Sequence, residues 1–188
     1  MFRAGDYQAV TIEAIARGAG LSPMTVFNYF GSKGGLLLAL VSQSDLLLVE
    51  KIESYIRRDH ADALESIRGF SFIIIDHAFS YLDRKTWRHV HATAVLEGQS
   101  TFGKGFLKLE KDLVALMCKL LRVLESRGLL VIEGDAMTIA NIIYNVHNAR
   151  FIEYASSDDI STVQIKDTIS ADLECATRLM MQLAGDIH

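Results

Sequence analysis

The sequence predicts an all-α protein: a helix-turn-helix within residues 1–40, then a six-helix body over residues 41–188. Three observations point there. Apolar residues recur at helical spacing over long runs, which is not how half-buried strands read. The chain has one proline, Pro23, and few Asn-Gly or Asp-Gly pairs of the kind that close hairpins. Half of its 188 residues are hydrophobic, enough for a sizeable core.

Each element has local support. Thr11 is a good N-cap for a short helix to Gly18, with Ile12, Ile15, Ala16 and Ala19 as its buried stripe. Gly20 ends it by supplying the positive φ of a tight turn. Ser22 caps a second short helix to Phe30. Pro23 stands at its first position, where a fixed φ helps and a missing N–H costs nothing, and Val26 and Phe30 point inward. Ser32 caps a longer helix to Tyr55. Periodicity then gives helices over Asp62–Leu82, Arg84–Glu97, Phe106–Ser126, Asp135–Tyr154 and Ser161–Ala184, with breaks at 98–105, 127–134 and 156–161. The last helix has apolar residues at 165, 169, 173, 176, 180 and 183, a seam that can close within the monomer or against a partner.

Two short helices joined by a glycine-containing turn suit DNA geometrically. The first braces across the backbone, and the second lays its N-terminal residues against base edges in the major groove. Pro23, Met24, Thr25, Asn28 and Tyr29 would be exposed on the second helix. Thr25 and Asn28 can hydrogen-bond, and Met24 can meet a thymine methyl. The N–H groups at Thr11 and Ser22 lie at helix N-termini, which favour phosphate.

The stretch from Thr11 to Leu36 closely resembles the DNA-binding signature of the tetracycline-repressor (TetR/AcrR) family. The matching features are Thr11, Ile15-Ala16, Ala19-Gly20, Ser22, Thr25, Tyr29-Phe30, Ser32-Lys33 and Leu36. The resemblance implies three small DNA-binding helices and a six-helix ligand-binding and dimerisation region. It also implies phosphate contacts at Thr11, Tyr29 and Lys33, base-facing positions at Thr25 and Asn28, and a dimer through the last two helices.

The sequence departs from the family at three places. Phe27 stands where an aromatic hydroxyl is usual. Gly34 and Gly35 replace an acidic residue and a helix former, so a loosened first turn is expected. Phe2–Tyr7 matches only the end of the family's first helix. The expectation is a truncated first helix; if the rest of it is absent, Ile12, Ile15 and Val26 would be partly uncovered and DNA binding weakened or lost. The alternative function is a helical small-molecule-binding or scaffold dimer that no longer binds DNA.

In the body, a pocket should be mostly apolar with a few converging polar groups. His77, Tyr81, Trp87, His91, Met117 and Tyr144 are the candidates for ligand binding. Asn141, Asn145 and Asn148 form a stripe that meets a ligand, meets another subunit or is exposed.

Composition narrows the function classes. The net charge is −4, with residues 1–35 at about +1, so affinity for DNA must rest on placed hydrogen bonds, helix dipoles and dimerisation rather than on a basic field. Cys118 and Cys175 make no disulfide framework, which points to a reduced cytoplasmic protein. No apolar run is long enough to span a bilayer or open as a signal peptide. His89 and His91 lie on different sides of a helix, Gly31–Gly35 lacks phosphate-loop spacing, and no zinc-protease or nucleophile motif occurs. No enzyme, metal or cofactor is expected. The expected protein is a homodimeric repressor on a palindromic double-stranded operator, relieved by a small, fairly apolar effector.

Overall fold

A computed structural model describes residues 10–183; side chains are described through residue 180. Its elements are α1 (Ile12–Ala19), α2 (Pro23–Phe30), α3 (Lys33–Ile56), α4 (Ala63–Tyr81), α5 (Arg84–Leu96), α6 (Thr101–Ser126), β1 (Leu130–Ile132), α7 (Ala136–Ser156), α8 (Thr162–Met180) and β2 (Met181–Leu183).

Side-chain caps set the helix starts. Thr11, Ser22, Ser32, Asp62, Asp83, Ser100 and Asp135 each accept the N–H three residues on. Each such cap stabilises by about 1 kcal/mol. At α8 the cap is reciprocal: Ser161 Oγ accepts from Gln164 N–H while Gln164 Oε1 accepts from Ser161 N–H.

The body packs as α3–α8. α6 lies against α3 and α7, and α4 is held between α3 and α8. Phe70, Ile67 and Ile75 of α4, Leu37 and Ile52 of α3, and Leu120, Leu121 and Leu124 of α6 are fully buried. Ile165, Ile169 and Leu173 close the α8 seam inside the monomer, against α4 and α7. Ion pairs Lys166–Asp76, Arg68–Glu174 and Arg150–Asp172 flank that seam. Arg84 and Arg88, from the start of α5, donate to the carbonyls of Ser157, Ile160 and Ala155 and so fix the α7–α8 connection.

Several expectations are corrected. α6 begins at Thr101, not Phe106, because Ser100 caps it. Its glycines are close contacts rather than breaks: a Cβ on Gly103 would stand 2.5 Å from Glu97 O, and one on Gly105 would stand 2.7 Å from Leu38. The last helix stops at Met180, where β2 pairs antiparallel with β1 in a two-stranded ribbon. Three-residue strands carry too little alternation to be read from sequence. Phe30 is 41% exposed and Ala19 is exposed, so neither joins the head's buried stripe, whereas Val26 is buried rather than uncovered. Ile12 and Ile15 are half-buried. The truncated first helix falls in residues 1–9, outside the described residues.

Candidate nucleic-acid interface and effector pocket

The head is built by α1, the turn and α2. Gly20 has φ 69°, and the N–H groups of Gly20 and Leu21 close back on the Arg17 and Ala16 carbonyls, the hydrogen bonds that end a helix in a left-handed residue. That turn puts Ser22 in extended backbone, ready to cap α2. With Val26 turned inward, Met24, Asn28 and Tyr29 face solvent; Met24 is 67% and Tyr29 81% exposed. Thr25 is half-buried, and its hydroxyl bonds Ser22 Oγ at 2.8 Å. Thr11 Oγ1 accepts from Ala14 N–H and stays at the surface. Lys33 opens α3 and is half-buried. All seven sequence-predicted head residues therefore lie on the α1 and α2 termini, the outer side of α2 and the first residue of α3.

The Gly34-Gly35 pair lies in helical backbone in the first turn of α3. A Cβ on Gly35 would stand 1.9 Å from Phe30 O, so only glycine allows the end of α2 to seat on the first turn of α3. Gly34 has ordinary clearance, with Ser32 Oγ at 3.6 Å and a Glu97 carboxylate oxygen at 4.0 Å.

The body holds a chamber walled by α3, α5, α6 and α7. Its apolar wall includes Trp87, Phe106 and Phe151, and its polar groups are Asp45, His91, Glu110, Tyr144, His147 and Asn148. It encloses about 40 Å³, room for about three waters. Phe151 meets Trp87 edge-on at 5.1 Å and His91 at 5.4 Å. Burial pushes both His91 and His147 down to about 4, so both rings are neutral at physiological pH. Burial, with Asp112 second, lifts Asp45 to about 7. Burial also raises Glu110, against the hydrogen bond it accepts from Asn148 Nδ2 at 3.2 Å. Tyr144 is raised by burial and then by the two carboxylates.

Of the sequence-predicted pocket residues, Trp87, His91 and Tyr144 line this chamber and three do not. His77 clamps α4 to α3: Lys51 Nζ donates to its Nδ1 at 3.0 Å, which leaves Nε2–H to donate to Ser44 O at 2.9 Å. Tyr81 stacks on His77. Met117 is fully buried core. Asn141 and Asn145 are exposed, and Asn148 reaches the chamber. Asp45, Glu110 and His147 were not among the ligand-binding residues expected from the sequence. The i, i+3 relation of Tyr144 and His147 was the available signal for the last of these. Among the described residues, no three His, Cys, Asp or Glu side chains gather to hold a metal, and no helix is long and apolar enough to cross a membrane.

The described residues form a helix-turn-helix with an exposed second helix, joined to a six-helix body that holds a chamber. Residues 1–40 match the model of bacterial regulatory proteins of the tetR family. The whole fold is that of TetR-family regulators. A Mesorhizobium loti protein assigned to that family superposes with a TM-score of 0.69 at 19% identity, covering 94% of this chain and 89% of its own. Thermus thermophilus FadR, a TetR-family repressor in complex with lauroyl-CoA, gives 0.68 at 20% identity, covering 95% and 86%. A Saccharomonospora viridis regulator in complex with choline gives 0.65 at 16% identity, covering 89% and 86%. Among curated protein sequences none matches. The chain thus matches the tetR-family model over its first 40 residues and is similar in fold to TetR-family regulators over most of its length.

Proposed function

We propose that this regulator is a homodimeric repressor that binds a palindromic operator and releases it when a small molecule enters the body chamber. One observation carries the reading. α3 starts at the Ser32 cap beside α2 and continues unbroken to Val41 and Asp45 in the chamber wall. Lys33 to Asp45 is a rigid span of about 18 Å. A ligand that displaces the α3 wall therefore moves the seat of α2. Two heads held in one dimer must match successive major grooves about 34 Å apart, so a small rotation of α3 is enough to spoil the fit. The effector acts by preferring the mismatched state.

The DNA contacts in this reading are Thr11, Ser22, Met24, Thr25, Asn28, Tyr29 and Lys33. The effector contacts are Trp87, His91 and Tyr144, joined by Asp45, Glu110 and His147. The bound ligands named for FadR and for the S. viridis regulator support a small-molecule effector in a body of this fold. The dimer uses α7 and α8. α7 exposes Ile142, Asn145, Ala149 and Ile152 at 3-4-3 spacing, a stripe suited to a facing helix.

Selection of genomic fragments by the purified chain tests the DNA half. The expected result is an enriched inverted repeat with half-sites about 10 base pairs apart, bound at least about tenfold more weakly by Tyr29→Ala or Asn28→Ala. Recovery of no inverted repeat rejects the reading.

A further inference from the structure

The chamber has an unbalanced set of polar groups. Asp45 and Glu110 are both in its wall, and no lysine or arginine is. Among the described residues, Asp45 makes no hydrogen bond or ion pair, and the charge that acts on it is the like charge of Asp112. The nearby Lys108 is paired with Asp112 at 2.9 Å. Asp45 itself is half-buried, but Nδ1 of His147, a residue only 2% exposed, and Nε2 of His91 are fully buried without a partner. Buried polar groups are normally satisfied, so these two nitrogens mark positions that something else completes. Aromatic faces of Trp87, Phe106 and Phe151 make up the rest of the wall.

We infer that the effector of this chamber is an organic ammonium: an amine that keeps at least one N–H, with an apolar tail. The inference deepens the reading of the chamber as the effector site and rests on it. A protonated amine supplies the charge that Asp45 and Glu110 lack, and it supplies donors for carboxylate oxygens and for the lone pair of a neutral imidazole. Aromatic faces attract the same cation. A carboxylate ligand would instead bring a third negative charge to a wall with no cation. A neutral alcohol would leave the two half-buried carboxylates without a counter-charge.

Size assigns the tail. About 40 Å³ admits a head group of a few heavy atoms. The chamber adjoins a groove between α3 and α6 that shares Asp45, Leu109 and Leu113, adds the apolar Leu46 and Val49, and also holds the paired Lys108 and Asp112 in its wall. The ammonium sits inside, and the tail runs out between the two helices.

Calorimetric titration of the purified chain at pH 8 with hexylamine, hexanol and hexanoate tests this without DNA. Hexylamine is expected to bind at least about tenfold more tightly than either partner compound. Asp45→Asn and Glu110→Gln are each expected to weaken hexylamine by about tenfold or more while leaving hexanol unchanged. Melting curves establish that both variants are folded. The inference is overturned if hexylamine shows no binding at millimolar concentration, if hexanoate or hexanol binds as tightly, or if neither variant affects the amine. Tight binding of hexanoate would overturn only the ligand class, because the chamber would still be an effector site. Hexylamine that binds in the chamber without weakening DNA affinity upholds the ligand class and rejects the switch.

Discussion

The head and the body of this chain are specified in different ways. α1 and α2 have eight residues each and bury one side chain apiece, Ala16 and Val26. Their ends are set by Thr11, Gly20, Ser22 and Gly31, so their geometry is written in residues a turn apart. The body's helices run to 26 residues and are held by a continuous core reaching from Leu37 to Leu173. Met24, Asn28 and Tyr29 of the head are exposed, and their direction follows from helix phase once Val26 is inside. The chamber's groups come from four helices, and only the tertiary packing brings them together. A local code makes a surface to be read. A long-range code makes an interior that can hold something.

The sharpest way to break this distinction is to damage the body's core and watch the head. Phe70 is fully buried at the centre of α4. Phe70→Ala is expected to destabilise by about 3–5 kcal/mol, a melting shift of roughly 10 °C for a chain of this length. Amides of α1 and α2 open locally, so their hydrogen exchange should be nearly unchanged in the variant. If they lose protection as fully as α4 does, head and body unfold as one unit.

Asp45 offers the next largest effect, with a sign opposite to most substitutions. Burial and Asp112 hold its carboxyl up to about 7, against an ordinary value of 3.8. Lys108 and Glu110 from α6 and Tyr144 from α7 share its surroundings. The folded chain keeps a proton that the unfolded chain releases. That advantage is complete below the unfolded value and is lost as pH rises to about 7. His91 and His147, held down to about 4, act in the other direction: their contribution is present above about 6.5 and is lost as pH falls toward 4. The two sets offset each other in the window between. Asp45→Asn removes one side. The variant should be more stable than the parent at pH 8 by on the order of 2–4 kcal/mol, a gap narrowing by about 1.4 kcal/mol per pH unit between 7 and 4. Denaturant melts at several pH values check this. A gap that does not change with pH refutes the offset.

The same division explains what was legible in the sequence. The caps, the turn glycine and the placement of Pro23 are local, and each was read correctly from its neighbours. So were ten of the twelve starts and ends of the body's helices, to within a residue or two. Gly103 and Gly105 were misread as a break because what they allow, the approach of Gly98 and Leu38, is invisible along the chain. His77 was taken for a pocket residue, although Ser44 and Lys51, a whole helix away, use both its ring nitrogens. Asp45 carried no signal at all. Among Leu40, Val41, Leu47 and Leu48 it reads as the polar side of an amphipathic helix, and only the packing of α6 and α7 turns it into a chamber wall.

Gly34 and Gly35 test the comparison most finely, because the two neighbours look equivalent in sequence and differ in structure. Both stand in the first turn of α3, where a glycine costs about 1 kcal/mol relative to alanine. Gly34→Ala meets nothing closer than 3.6 Å, so it should stabilise by up to about 1 kcal/mol and leave DNA affinity intact. Gly35→Ala places a methyl 1.9 Å from the Phe30 carbonyl oxygen. Backbone cannot yield as a flexible side chain does, so α2 must shift on α3, at an expected cost of about 1–3 kcal/mol. That shift turns Met24, Asn28 and Tyr29 away from their register, so DNA affinity should fall by more than the stability change alone accounts for. The pair is measured side by side, by melting and by mobility shift on the selected operator. Equal behaviour of the two alanine variants would mean that the α2–α3 junction tolerates a Cβ at either position, and that the close seat of Phe30 on Gly35 does not orient α2.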